Sequence, residues 1–201
     1  MEEKWKDTLV VLIPKCSSPS SLDHFRPISL CSTIYKVTAN ILANRMKPLL
    51  KRLISEDLAA FVPGRLIADN CMLAQELVHR LHTTESNTGY MAIKIDLEKA
   101  FDRMQWSFVK RALLAFNFPP QWINLIMECI SSPKFGLLIK GSRSKWINAT
   151  CGLRQGCPLF PYLFILCSDF LSLLIKASKL LGIGIKINLT APKILIALYL
   201  F

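Results

Sequence analysis

The chain has 201 residues, 52% of them hydrophobic, which is enough for one domain with a full apolar core or for part of a larger one. Seven cysteines, at positions 16, 31, 71, 129, 151, 157 and 167, show no CxxC pair and no histidine at zinc-finger spacing; the apolar fraction excludes a disulfide-held miniprotein, and they read as reduced thiols. The net charge of +11 points to a polyanionic partner, nucleic acid by default, and it is concentrated: residues 1–100 carry 13 Lys+Arg against 11 Asp+Glu, residues 101–201 carry 12 against 3.

The opening Met1-Glu-Glu-Lys-Trp-Lys6 lacks the basic-then-apolar order of a signal peptide, so an intracellular location, nucleus or cytoplasm, is expected and the sequons at Asn148 and Asn188 carry no weight. Thr8 to Ile13 is β-branched and short enough for a strand, Phe25 to Leu30 is its partner, and the Pro- and Ser-rich stretch between them is a loop. This hairpin carries Lys15 at the end of one strand and Arg26 at the start of the next, two cations able to hold a triphosphate, although surface charge alone explains them as well. Ser32 is placed to cap a helix running to about Lys47, with Ile34, Val37, Ile41, Leu42 and Ala43 on its apolar side and Pro48 ending or kinking it. Phe61-Val-Pro-Gly-Arg65 reads as a tight loop before a helix over Leu66 to Thr83, with Arg65 either structural or on a phosphate.

Tyr90 to Ile95 is a buried strand by composition, Asp96 ends it, and helical spacing resumes over Leu97 to Phe108. A carboxylate at a strand end is held rigidly enough to ligate Mg²⁺; the same pattern also arises from a plain helix N-cap. Phe101 lies where it can pack on a nucleotide sugar. Residues 109–131 read as two helical pieces broken at Pro119-Pro120, and 134–140 with 145–150 as a hairpin around Gly141-Ser142. Cys151 to Pro158 is an irregular loop. The apolar run Pro158 to Ile175 is nearly long enough to span a bilayer, but Pro161, Asp169 and the lysines 176 and 179 favour a buried core helix and no membrane. Residues 183–187 and 194–199 read as two closing strands.

Six motifs stand in a telling order: Leu12-Ile-Pro-Lys15; Phe25-Arg-Pro-Ile-Ser-Leu30; Tyr35-Lys-Val through Ala43-Asn-Arg45; Ala60-Phe-Val-Pro-Gly-Arg65 with Asp69-Asn70; Lys94-Ile-Asp-Leu-Glu-Lys-Ala-Phe-Asp-Arg103; and Gly152-Leu-Arg-Gln-Gly-Cys-Pro158. Together they resemble the reverse transcriptase domain of non-LTR (LINE-type) retrotransposons, the plant versions in particular, over almost the whole chain. The resemblance implies an α+β polymerase right-hand fold: fingers plus a partial palm, an antiparallel sheet packed on helices, and no thumb. Residues 1–88 would be fingers-like and 89–201 palm-like, with room for interleaved fingers-type elements. It implies RNA-directed DNA polymerase chemistry, in which a primer 3′-hydroxyl attacks the α-phosphate of a deoxynucleoside triphosphate on an RNA template with two Mg²⁺ ions. On matching positions, Asp96 resembles the first metal ligand, Phe101 the gate beneath the incoming sugar, Lys15 and Arg26 the triphosphate cations, and Gln155 and Gly156 the loop that positions nucleotide and template. Arg65 and Arg154 would touch backbone phosphate. No protein partner is implied.

The pattern also departs from the family. Its next motif is an aromatic, any residue and two aspartates; here Tyr199 takes the aromatic place and Phe201 falls on the first aspartate. Phe160 stands where the family usually has Ser, and Leu58 where it has Gln. One carboxylate cannot hold two divalent ions about 3.5 to 4 Å apart, so the expectation is a chain truncated at this motif and catalytically inactive, or, alternatively, a basic nucleic-acid-binding remnant.

Overall fold

The computed structural model describes residues 2–56, 58–83, 90–93, 97–180 and 193–196. Asp96, the strand expected over 183–187, Asn188, and the expected Tyr199 and Phe201 positions lie outside the described residues. In chain order the elements are α1 Glu3–Lys6, β1 Thr8–Pro14, β2 Phe25–Cys31, α2 Thr33–Leu53, α3 Ile67–Thr83, β3 Tyr90–Ile93 and α4 Ala100–Arg103. There follow α5 Trp106–Ala115, α6 Pro120–Ile130, β4 Lys134–Ile139, β5 Ser142–Arg143, β6 Ile147–Asn148, α7 Phe160–Leu180 and β7 Lys193–Ile196. The class is α+β, a sheet packed on helices. Two compact units divide the chain, one made of Met1–Leu49 with Lys99–Phe164, the other of Leu50–Glu98 with Ile165–Phe201.

The first unit is organised on a sheet in the order β2-β1-β4-β5, with β6 also paired to β4. β1 and β2 form the expected hairpin, in register from Thr8 opposite Cys31 to Pro14 opposite Phe25. β4 joins the other side of β1 in parallel, Thr8 beside Phe135 through Val11 beside Leu138. The expected antiparallel sheet is thereby corrected to a mixed one. Chain length permits it: a parallel pair needs a long connection, and more than a hundred residues separate β1 from β4. Helices α5 and α6 bury Val109, Ala112 and Leu113, and Ile123, Ile126, Cys129 and Ile130 respectively, each set on one helical face.

Helix α2 starts as expected, with the Tyr35 amide donating to Ser32 Oγ at 3.3 Å. Its buried face matches the expected one only at Leu42 and Ala43. Tyr35, Ala39, Leu42, Ala43 and Met46 are buried, whereas Ile34, Val37 and Ile41 are half exposed. The stripe turns by one residue because Tyr35 buries its ring and still satisfies its hydroxyl, which donates to the Cys129 carbonyl at 3.1 Å. The helix also continues through Pro48 to Leu53. Asn44 and Pro48 are both exposed, so the Asn44 carbonyl that Pro48 leaves without a donor is open to water. The helix expected over 97–108 is interrupted at Met104 and Gln105, which adopt extended conformations between α4 and α5. The reason is a tertiary one: the Met104 carbonyl accepts the Gly152 amide at 2.8 Å, and Trp106 Nε1 donates to the Gly152 carbonyl at 2.9 Å.

In the second unit β3 and β7 pair in parallel, Tyr90 beside Lys193 through Ile93 beside Ile196. Its core includes Leu50, Ile54, Leu58, Ala59, Val62, Ile165, Leu166 and Cys167. A polar clamp holds the turn after α2. Asp169, fully buried, accepts the Ser55 amide at 3.2 Å and the Ser55 hydroxyl, while the Arg65 guanidinium donates to the carbonyls of Ile54 (2.8 Å), Ser55 and Leu58 (2.6 Å). One peptide is thus gripped from both ends, with Arg65 as a loop brace. Among the described residues one helix, over Phe160–Ala177, is long and apolar enough to cross a membrane; 44% of that window is buried within the fold. A fully buried, hydrogen-bonded carboxylate in its middle marks it as a core helix.

Candidate functional site

Within the first unit, four of the residues singled out in the sequence meet. Phe101, Arg154, Gln155 and Gly156 line an open cleft of about 480 Å³ together with Cys157, Pro158, Phe160 and Pro161. The two segments that meet here lie some fifty residues apart in sequence and are joined by backbone. The Leu153 amide donates to the Phe101 carbonyl at 2.7 Å and the Gly152 amide to that of Met104. The Phe101 ring stacks on Phe164, centroids 4.4 Å apart and planes inclined by 15°. Gln155 Nε2 donates to Asp102 Oδ1 at 3.1 Å.

The loop is fastened equally to the sheet. The Ser29 amide on β2 donates to the Gln155 carbonyl at 3.0 Å. Gly156 has a φ of +100°, which L side chains seldom adopt, and a Cβ there would already lie 3.4 Å from the Ser29 carbonyl. Gly152 is tighter still, as a Cβ would lie 2.7 Å from the Asp102 carbonyl oxygen.

Both flanks of Gln155 and Gly156 are anchored in the core. Arg154, 2% exposed, donates from Nη2 to the Cys129 carbonyl at 2.9 Å and lies 4.1 Å from the centre of the Tyr35 ring. That carbonyl belongs to the last turn of α6, where helix geometry concentrates negative potential, so a buried cation finds compensation there and over the aromatic face. Cys157 Sγ lies 3.7 Å from the Tyr35 hydroxyl and donates to it. Burial pushes the Cys157 thiol up to about 11, and burial raises the Tyr35 phenol too, against the pull of Arg154, so both groups stay protonated as donors. Arg154 in this arrangement is anchored internally through Nη2, while its Nε and Nη1 are buried without a hydrogen-bond partner.

The β1–β2 hairpin places Lys15 and Arg26 at its exposed end, as expected. Lys15 Nζ donates to the Asp23 carbonyl at 2.8 Å, and Lys99 pairs with Asp23 Oδ1 at 2.7 Å. The Lys99 hydrogen bond, followed by its charge, holds the Asp23 carboxyl below its ordinary range. Arg26 is on the strand that carries Ser29, so the hairpin cations and the Gln155 loop are parts of one rigid sheet edge. Among the described residues no three His, Cys, Asp or Glu side chains cluster to hold a metal ion. Asp96, the expected first metal ligand, lies outside the described residues.

The family model for reverse transcriptase (RNA-dependent DNA polymerase) matches residues 13–199, which include both sides of the cleft and the end of the hairpin that carries Lys15 and Arg26. This chain belongs to the reverse transcriptase family. It is 34% identical over 176 residues to an uncharacterised 149 kDa protein of transposon TX1 from Xenopus laevis, covering 87% of this chain and 13% of that protein. It is 31% identical over 163 residues to a retrovirus-related Pol polyprotein of the type-1 retrotransposable element R2 from Nasonia vitripennis, covering 80% of this chain and 15% of the relative. To the RNA-directed DNA polymerase of the mobile element jockey from Drosophila melanogaster it is 24% identical over 173 residues, covering 82% and 18% respectively. The relatives are thus non-LTR elements, and this reverse transcriptase chain spans less than a fifth of each of these three.

Several residues of the site were not legible as such. Tyr35 reads as one polar position of a motif, yet it is the post to which Arg154 and Cys157 are tied. Phe164 reads as one more apolar residue of a long run, and only the fold brings it onto Phe101. Gly152 carried a signal, a glycine opening an irregular loop, but nothing local indicates which backbone it must approach.

Proposed function

We propose that this chain is the nucleotide-handling part of a non-LTR retrotransposon reverse transcriptase, acting on deoxynucleoside triphosphates with an RNA template and DNA primer. The observation that carries the reading is the assembly of Phe101, Gln155 and Gly156 on one cleft. An aromatic face takes the sugar and excludes a 2′-hydroxyl by contact, Gly156 lets the nucleotide approach the backbone, and Gln155, held by Asp102, presents its amide beside it. Lys15 and Arg26, at the end of the same sheet, supply positive charge for the triphosphate, the arginine as a fork and the lysine as a point charge. Residues 1–88 are read as fingers-like and 89–201 as palm-like, with elements interleaved where β4 joins the β1–β2 hairpin.

In the family a divalent metal pair supplies the activation of the primer hydroxyl and neutralises the leaving phosphate. Asp96 is assigned the role of its first ligand. With Phe201 at the aligned position of a second carboxylate, this chain is assigned binding rather than phosphoryl transfer, and no step is derived through the metals. A plant-like origin belongs to the same reading, carried by the six motifs.

Titration of a fluorescent deoxynucleoside triphosphate tests this. The wild-type chain should bind it, Phe101→Ala should weaken binding about tenfold, as loss of a stacked aromatic contact implies, and the matching ribonucleotide should gain relative to the deoxynucleotide. Primer extension on an RNA template should show no incorporation; equal affinity for wild type and Phe101→Ala would refute the cleft assignment, and incorporation would refute the inactivity.

A further inference from the structure

A second surface, apart from the nucleotide cleft, is built on the far edge of the sheet. Between Glu128 and Asp169 the sequence contains no carboxylate but five cations, of which Lys134, Lys140, Arg143 and Lys145 fall on or beside β4 and β5. Lys140, Arg143 and Lys145 are exposed, and among the described residues no carboxylate forms an ion pair with any of the three. In their midst Trp146 is 40% exposed, a large aromatic open to solvent. The Arg143 guanidinium lies over its ring, 4.3 Å from the centroid.

The arrangement is held in place by the sheet. Ser144 is bonded to Leu137 in both directions, its amide to the Leu137 carbonyl at 2.9 Å and its hydroxyl accepting the Leu137 amide at 3.0 Å; the hydroxyl also donates to the Lys145 carbonyl at 2.9 Å. Beneath lies Gly136, buried, where a Cβ would come within 3.0 Å of the Arg143 side chain and 3.2 Å of the Trp146 ring. The glycine is what lets the arginine and the indole settle directly on the strand. Two flat, rigid groups, a guanidinium and an indole, therefore stand side by side among further cations, with no acidic group among them.

We propose that this β4–β6 face binds single-stranded nucleic acid, with Trp146 and Arg143 stacking on unpaired bases and Lys140, Arg143 and Lys145 neutralising phosphates. Flat π-faces select exposed bases and so favour a single strand over a duplex, whose bases are already stacked. The cations make the affinity salt-dependent. The proposal stands independently of the nucleotide cleft, since no residue is shared between the two.

The test is fluorescence anisotropy of the full 201-residue chain with labelled RNA of about 20 nucleotides, a few site lengths for a stacking groove, the matching single-stranded DNA and the RNA duplex, over a range of salt. The triple variant Lys140→Ala/Arg143→Ala/Lys145→Ala should weaken single-strand binding about tenfold or more and lower the slope of log affinity against log salt by about 2, three phosphates at roughly 0.7 each. Trp146→Ala should weaken it by roughly fivefold to tenfold with little change in slope, and Trp146→Phe should restore most of it. The two single strands report whether the 2′-hydroxyl is read, and binding of both is the expected result. Phe101→Ala should leave this binding intact while it disturbs nucleotide binding, which keeps the two readings apart. Should a variant fail to fold, photocrosslinking of the wild-type chain to 4-thiouridine RNA still decides, because the crosslinked peptide must fall within residues 134–150. Absent binding, unchanged affinity in both variants, preference for the duplex, crosslinks elsewhere, or equal competition by polyglutamate, which would mark an acidic protein partner instead, would each overturn the proposal.

Discussion

Replacing Gly152 by alanine should lower the stability of the chain by about 3 kcal/mol, the sum of roughly 1–3 kcal/mol of backbone strain and a similar overpacking term. The backbone there has φ +92°, and the added Cβ meets the Asp102 carbonyl oxygen at 2.7 Å and its carbon at 3.3 Å. The obstacle is main chain and cannot swing aside as a flexible side chain would. Gly141→Ala provides the control: φ there is +80° but nothing lies within 4 Å, so only the strain remains, about 1 kcal/mol. Thermal denaturation followed by circular dichroism should place Gly152→Ala lower by roughly 6–12 °C, at about 2–4 °C per kcal/mol for a chain of this size, and Gly141→Ala much nearer to wild type. Because the Gly152 and Leu153 amides tie the loop to Met104 and Phe101, the same substitution should loosen the nucleotide cleft. Equal melting temperatures for the two variants would show that the close approach is not what requires glycine.

Asp169→Ala should be of similar severity, costing about 3 kcal/mol, because it strips partners from a partly buried amide and hydroxyl at once and leaves a cavity in the core. The carboxylate is fully buried and accepts both the amide and the hydroxyl of Ser55, whose carbonyl is in turn held by Arg65. Asp169→Asn retains one acceptor oxygen in the same volume and should cost roughly 1 kcal/mol. Arg65→Lys should fall between, since an ammonium cannot reproduce a fork that reaches the carbonyls of Ile54, Ser55 and Leu58 together. Chemical denaturation of the three variants orders them. If Asp169→Ala and Asp169→Asn melt alike, the hydrogen bonds from Ser55 contribute less than burial of the charge costs.

Legibility followed the range of the interactions. The β1–β2 hairpin was readable to within a residue because β-branched runs around a Pro- and Ser-rich loop specify it locally. The break at Pro119-Pro120 and the cap at Ser32 were readable for the same reason. What failed was decided by distant chain. Met104 and Gln105 leave the helix because Gly152 and Trp106 claim their surroundings, and α2 turns its face by a residue because Tyr35 finds Cys129, 94 positions away. The arginines show the same limit. Arg65 and Arg154 have the composition of phosphate ligands, but Arg65 reaches three protein carbonyls and Arg154 one, contacts that only the fold brings within reach. By contrast Phe101, Gln155 and Gly156, singled out on motifs some fifty residues apart, line one cleft.

The two proposed surfaces lie on different edges of one sheet, the nucleotide cleft beside β2 and the single-strand face on β4 to β6. The account depends most on the first. Photocrosslinking of the chain with an 8-azido deoxyadenosine triphosphate, followed by peptide mapping, tests it directly. The account predicts label on the segments around Phe101 and 154–158, displaced by excess unlabelled deoxynucleotide and much reduced in Phe101→Ala; label confined to other segments, or undiminished in that variant, would contradict it.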